Sequence, residues 1–213
     1  MTDSQLSTPE PIPEAENAAA TPRKRPKPGE RRVQILQALA TMLEQPGAER
    51  ITTAALAARL EVSEAALYRH FASKAQMFEG LIEFIEQSVF TLVNQITERE
   101  SAGTAQAAKV VTMLLQFAEK NPGMTRVMVG DALVFENDRL QQRMNQFFDK
   151  IEATLRQSLR SGGEADAATP SADAQVKASM LTSFAVGRLQ RFARSGFRRM
   201  PSEHLEASLA LML

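Results

Sequence analysis

Four side chains rich in hydrogen-bond donors crowd one short stretch: Tyr68, Arg69 and His70 are consecutive, and Lys74 follows them. A phenol, a guanidinium, an imidazole and an ammonium at this spacing suit phosphate oxygens and base edges. Just upstream, Ala65 and Ala66 are small enough to let a helix settle deep in a major groove, where alanine can touch a thymine methyl. Thr52, Thr53 and Ser63 add hydroxyls nearby. Together these groups suit recognition of double-stranded DNA. Any three amphipathic helices could carry such residues, so the elements that position them decide.

Three helix-start signals supply that positioning. Thr52 can cap a first helix, with Ile51 and Leu56 as a hydrophobic staple across its opening turn. Ser63 can cap a second, stapled by Val62 and Leu67, with Glu64 on the positive end of the helix dipole. Ser73 can cap a third, with Gln76 where the return bond of a capping box belongs, ahead of Met77 and Phe78. Only residues 61–63 are left between the first two helices, which requires a tight turn of the helix-turn-helix kind. Ala57 fits the crowded crossing, and Leu60, Val62, Leu67 and Phe71 can close a small core. The helix over 63–71 then presents Ala65, Ala66, Tyr68, Arg69 and His70 outward.

The run SEAALYRHFASKAQMF resembles the TetR-family signature, in which the reading helix ends in Leu-Tyr-x-His-Phe and a lysine follows. The resemblance implies an all-α fold: an N-terminal helix-turn-helix head of three helices joined to a C-terminal helical dimerisation bundle. It also implies phosphate contacts by Tyr68, His70 and Lys74, and a groove-facing set of Thr52, Thr53, Ser63, Ala65, Ala66 and Arg69. One residue departs from the family pattern. The turn usually opens on a glycine at positive φ, and Glu61 stands there, at an expected cost of ~1 kcal/mol.

A chain of 213 residues with 44% apolar content can bury one large domain and a small one. No cysteine means no disulfide framework and no thiolate metal site. No stretch approaches the roughly 20 apolar residues of a membrane span, and the first residues lack a signal-peptide pattern, so the expected location is cytoplasmic, and the resemblance to DNA-binding proteins implies that it is nucleoid-associated. Net charge is zero but uneven: residues 1–22 hold no lysine or arginine, whereas Arg23, Lys24, Arg25, Lys27, Arg31 and Arg32 cluster after them. Residues 1–28 read as a disordered tail, rich in proline and alanine, whose basic end either follows phosphates or only aids solubility. Residues 29–75 read as the DNA-binding head and 76–213 as the dimerisation and partner-binding domain.

The first helix, over residues 30–45, carries Leu36, Leu39, Ala40 and Leu43 and stops at Pro46-Gly47. After Ser73 a long strut runs through Leu81, Ile82, Ile85, Val89, Leu92 and Ile96. Residues 110–118 predict another helix, stopped by Asn121-Pro122-Gly123. In residues 138–160, Leu140, Met144, Phe147, Ile151 and Leu155 advance by three or four; the stripe is like a coiled-coil seam but widens at Phe148 and Leu159, as bundle packing requires. A polar loop from Gly162-Gly163 precedes two last helices, about residues 173–195 and 202–213.

One head reads one half-site, so useful affinity calls for a homodimer. The last two helices are the candidates, with Val176, Met180, Phe184, Gly187, Leu205 and Leu209 at the contact. Catalysis has no support: the two histidines, His70 and His204, lack metal-ligand spacing, and neither a nucleophile elbow nor a phosphate loop occurs. His204 falls in the first turn of the last helix, in a structural role. No cofactor and no metal is expected.

Longer runs, among them FAEKNPGMTRVMVGDALVFENDRLQQRMNQFFDKIEATLRQSL and RFARSGFRRMP, resemble a narrower TetR subgroup, the nucleoid occlusion factors. That resemblance implies a dimer on palindromic chromosomal sites that, once on DNA, antagonises the tubulin-like division GTPase FtsZ. Whether one dimer or two occupy a site stays open, and no membrane is required. The subgroup's FtsZ contact maps to Phe84, Leu92, Met113, Lys120 and Asn121, though Phe84, Leu92 and Met113 could equally be packing residues between the strut and its neighbour. The competing reading is a transcriptional repressor released from DNA by a small-molecule ligand.

Overall fold

The computed structural model describes residues 29–45, 50–161 and 170–213. The tail up to residue 28, the Pro46-Gly47 stop and the Gly162-Gly163 loop lie outside the described residues. Among the described residues every regular element is helical, which bears out the all-α expectation.

Helix α1 (Glu30–Leu43) buries Ile35, Leu39, Ala40 and Leu43 and ends where that stripe runs out, two residues before the expected stop. Helices α2 (Thr53–Arg59) and α3 (Glu64–Tyr68) follow, then the strut, α4 (Lys74–Arg99). Along α4 the buried line is Met77, Phe78, Leu81, Ile82, Ile85, Val89 and Val93. Leu92 therefore lies off the line and is exposed, contrary to the periodicity, because Val93 takes the inward step one residue later.

Helix α5 (Gly103–Lys120) begins well before residue 110. Its extra turns close the link from α4, where the Gln106 amide donates to the Glu100 carbonyl at 2.5 Å and to the Thr97 carbonyl at 3.3 Å. Asn121-Pro122-Gly123 does stop α5, but it also opens a further short helix, α6 (Pro122–Met128), with proline at the first position where its missing N–H costs nothing. The Thr125 hydroxyl, fully buried, donates to the Ala118 carbonyl at 2.9 Å and ties α6 to α5. Gly123 lets α6 meet α1 at backbone contact: a Cβ there would stand 2.0 Å from the Ala40 carbonyl oxygen. A single 3-10 turn (Asp131–Leu133) leads into α7 (Asp138–Ser161), followed by α8 (Pro170–Arg194) and α9 (Leu205–Met212).

The predicted α7 stripe, Leu140 through Leu155, is buried, and Phe147 stacks edge-on against both Phe90 and Phe148 at 5.5 and 5.1 Å. Helix α7 is also pinned to α4 by charge. Arg143 donates to both Glu86 oxygens at 3.1 and 2.6 Å, a bidentate pair, and Arg139 pairs with Glu79. Glu86 is thus an inter-helix partner, where its sequence spacing suggests an ordinary surface acid.

Helix α9 is shorter than expected. His204 precedes it as the N-cap residue in the left-handed region, φ 54, exposed and 3.8 Å from Glu203, so it is not a first-turn residue. Leu205 and Leu209, expected at a dimer contact, are largely buried within the protomer. The protomer's own core takes this side of α9, whereas Leu211 on the opposite side is 90% exposed.

Candidate nucleic-acid interface

All three expected caps form. The hydroxyls of Thr52, Ser63 and Ser73 accept from the backbone N–H groups of Ala55, Ala66 and Gln76 at 3.2, 3.3 and 3.2 Å. The return bond from Gln76 lands one residue earlier than in a capping box: its side-chain oxygen accepts from Ala72 N–H at 2.8 Å. Both staples bury their helix members, with Leu56 and Leu67 closed from solvent.

The turn from α2 to α3 is a Schellman cap. Val62 N–H donates to the Ala57 carbonyl at 3.0 Å and Glu61 N–H to the Ala58 carbonyl at 3.1 Å. The motif needs a left-handed residue between, and Glu61 has φ 54. The turn is therefore built as the family pattern requires, with a glutamate in the glycine position.

Helix α3 ends at Tyr68, earlier than the expected Phe71; Arg69 is its C-cap and His70 lies in the following turn. Five residues cannot satisfy their own terminal carbonyls, and a side chain from elsewhere helps. The Arg32 guanidinium, reaching from α1, donates to the His70 carbonyl at 2.5 Å and lies 4.1 Å over the Phe71 ring. Leu67 and Phe71 anchor this segment in the core, so Ala65, Tyr68, Arg69 and His70 face solvent and Ala66 is half-exposed. The predicted outward face is thus present, although part of it is turn rather than helix. In the sequence Arg32 stands out only as part of a basic cluster; its position one turn before Ile35 on α1 is the available signal.

Two of the expected DNA contacts already hold protein partners. The Thr53 hydroxyl donates to Glu64 Oε2 at 2.6 Å, bridging the first turns of α2 and α3. Lys74 Nζ sits 2.5 Å from Glu136 Oε1, on the segment between the 3-10 turn and α7, and 5.7 Å from the centroid of the Phe78 ring. Thr52 is exposed and unencumbered on its donor side.

Of the candidate FtsZ contacts on α4 and α5, Phe84 and Leu92 are 48% and 38% exposed, too open for internal packing residues. Leu92 and Met113 line one groove of about 300 Å³ with Gln95, Ile96 and Arg99. It shares Ile96, Lys109 and Met113 with a larger groove of about 540 Å³ that reaches Leu209 of α9. Phe84, Lys120 and Asn121 stand outside that lining. Lys120 is exposed, whereas the Asn121 side-chain amide donates to the Phe117 carbonyl at 2.7 Å and caps α5. At the groove's rim the Glu100 carboxyl is held below its ordinary pKa, first by the hydrogen bond from Lys109 at 2.5 Å and then by Ala102 N–H. On α8, Val176 and Met180 are 57% and 49% exposed, Phe184 is half-buried under Arg188, and a Cβ at Gly187 would meet open space.

Sequence comparison places this architecture. Residues 35–81 match the bacterial regulatory proteins of the tetR family, and residues 104–213 match a tetracyclin repressor-like C-terminal domain of the SlmA-like type. The nucleoid occlusion factor SlmA of Idiomarina loihiensis is 50% identical over 182 residues, covering 85% of this chain and 93% of that protein. The chain belongs to the SlmA family of nucleoid occlusion factors. SlmA of Vibrio vulnificus is 49% identical over 187 residues, 87% of this chain and 95% of the relative. At the level of fold alone, the MbdR regulator from Azoarcus superposes with a TM-score of 0.69 at 16% identity, over 85% of this chain and 96% of that one. Within the SlmA family the narrower sequence resemblance and the TetR head thus agree, and the runs that carry the resemblance extend from the head through α8.

Proposed function

We propose that this chain is a dimeric, sequence-specific DNA-binding protein that, seated on chromosomal palindromes, inhibits FtsZ ring assembly over the nucleoid and so coordinates division with segregation. The observation that carries the proposal is the open α3 face, Ala65, Ala66, Tyr68, Arg69 and His70, in a chain about half identical to SlmA factors across nearly its whole described length. The methyl groups allow depth in the groove, and the tyrosine, arginine and histidine bring donors to phosphates on either side. Thr52 and Ser63 remain at the same surface.

Dimerisation is supported by the apolar outward face of α8. Val176, Met180 and Phe184 recur every four residues, and Gly187 continues the line with no side chain to obstruct a facing helix. FtsZ capture is supported by the α4–α5 groove: a flexible peptide with an apolar anchor fits between Leu92 and Met113, Arg99 supplies a cation in the lining beside the Lys109–Glu100 pair, and Lys120 stands exposed outside the lining at the end of α5.

Sedimentation of FtsZ polymers with the full chain, with and without its selected palindrome, tests the proposal. Loss of polymer only in the presence of the palindrome is expected. An unaffected pellet, together with a small molecule that releases the DNA, would favour a ligand-responsive repressor.

A further inference from the structure

Glu64 is the first residue of α3, exposed, and negatively charged on the element that approaches DNA. Phosphates repel a carboxylate, and the dipole of a five-residue helix offers little to offset that repulsion. A base edge offers more. Cytosine presents its N4 amino group as a donor in the major groove, and a glutamate is a natural acceptor for it. In helix-turn-helix proteins the N-terminal residues of the reading helix are the ones that reach base edges. Glu64 has that position, and its two neighbours, Ala65 and Ala66, carry only methyl groups, so nothing longer stands beside it on the first turn.

The carboxylate is also held. The Thr53 hydroxyl engages Oε2 at 2.6 Å from the first turn of α2, which restrains a side chain that would otherwise lose several rotamers on binding. One hydrogen bond leaves most of the lone pairs of a carboxylate available. Resting on the reading that α3 enters a major groove, we propose that Glu64 is a specificity-determining residue: its carboxylate, oriented by Thr53, accepts from the N4 amino group of one cytosine in each half-site. Adenine also offers an amino group, but its N7 acceptor beside it repels an anion. A glutamine reverses that choice, because it matches adenine N6 and N7 together.

Selection from random duplexes with the full-length dimer tests this, using wild type, Glu64→Gln, Glu64→Ala and Thr53→Val, each checked for helical content. Wild type is expected to enrich a palindrome with a cytosine at one position of each half-site. Glu64→Gln is expected to change that position to adenine and leave the others intact, with about tenfold weaker binding to the parental site. Glu64→Ala loses the preference there without gaining another, and Thr53→Val relaxes the same position. If Glu64 serves only the helix dipole, the variants lose thermal stability and keep every base preference, which overturns the assignment while leaving the DNA-binding function standing. A wild type that enriches no sequence sinks the function and the assignment together.

Discussion

Lys74 and Glu136 form an ion pair of 2.5 Å that joins the first turn of the strut to the segment ahead of α7, with the Glu136 side chain only 10% exposed. Lys74 is also the lysine to which the TetR resemblance assigns a phosphate contact. On that reading one ammonium serves two anions, the Glu136 carboxylate in the free protein and a phosphate in the complex. Replacing the carboxylate should release the lysine for DNA. Glu136→Gln is expected to tighten DNA binding up to roughly fivefold, given that such pairs contribute about 1 kcal/mol at most. A fluorescence anisotropy titration at fixed salt measures it, and unchanged affinity would mean that Lys74 does not reach a phosphate.

The Schellman caps of α2 and α8 form an internal comparison. At the end of α8, Gly196 N–H donates to Ala193 and Phe197 N–H to Phe192, with Gly196 at φ 62 and the two phenylalanine rings 5.1 Å apart. At the end of α2 the same left-handed position holds Glu61, φ 54. Glu61→Gly is expected to stabilise the fold by ~1 kcal/mol, or a rise in Tm of about 2–4 °C. Differential scanning calorimetry decides, and a fall in Tm would mean that the glutamate side chain contributes more than its backbone strain removes.

What the sequence discloses depends on how locally each feature is determined. Thr52, Ser63 and Ser73 can be read as caps because the bond each makes lies within three residues. The α7 stripe is legible because five apolar residues keep one helical face over its length. The partners of Thr53 and Lys74 are not legible, because Glu64 and Glu136 meet them only after the chain has folded. The same holds in part for α6: Asn121-Pro122 can start a helix as well as stop one, and nothing local says that Gly123 must touch α1. Periodicity also fails where two adjacent residues are apolar, as at Leu92 and Val93, since spacing alone cannot say which turns inward.

The division of labour between α8 and α9 gives separable phenotypes. Val176 and Met180 face out, whereas Leu209 is buried in the protomer. A Val176→Glu, Met180→Glu double variant is expected to yield folded monomers that lose most palindrome affinity, because the second head is no longer tethered. Leu209→Ala is expected to cost about 2–3 kcal/mol of protomer stability and leave the association state of the folded fraction unchanged. Light scattering combined with thermal melts separates the two. A monomeric Leu209→Ala variant with unaltered Tm would return α9 to the dimer contact.

The α4–α5 groove should be separable from the reading head. Leu92 lies on α4 at least two helical turns beyond the head, and it lines the groove with Met113 while contributing little to the core. Leu92→Glu should therefore leave folding and DNA affinity near wild type, as surface changes usually do. It should also abolish DNA-dependent loss of FtsZ polymer, because an acid replaces the apolar anchor of the groove. Lys120→Glu should weaken the same effect by reversing one exposed charge near the end of α5, and that loss should shrink as ionic strength rises. Parallel DNA titrations and FtsZ sedimentation on each variant measure both quantities. If Leu92→Glu inhibits polymerisation as well as the parent, the FtsZ contact lies elsewhere on the molecule, and the exposed Val134 and Phe135 beside Glu136 become the next surface to substitute.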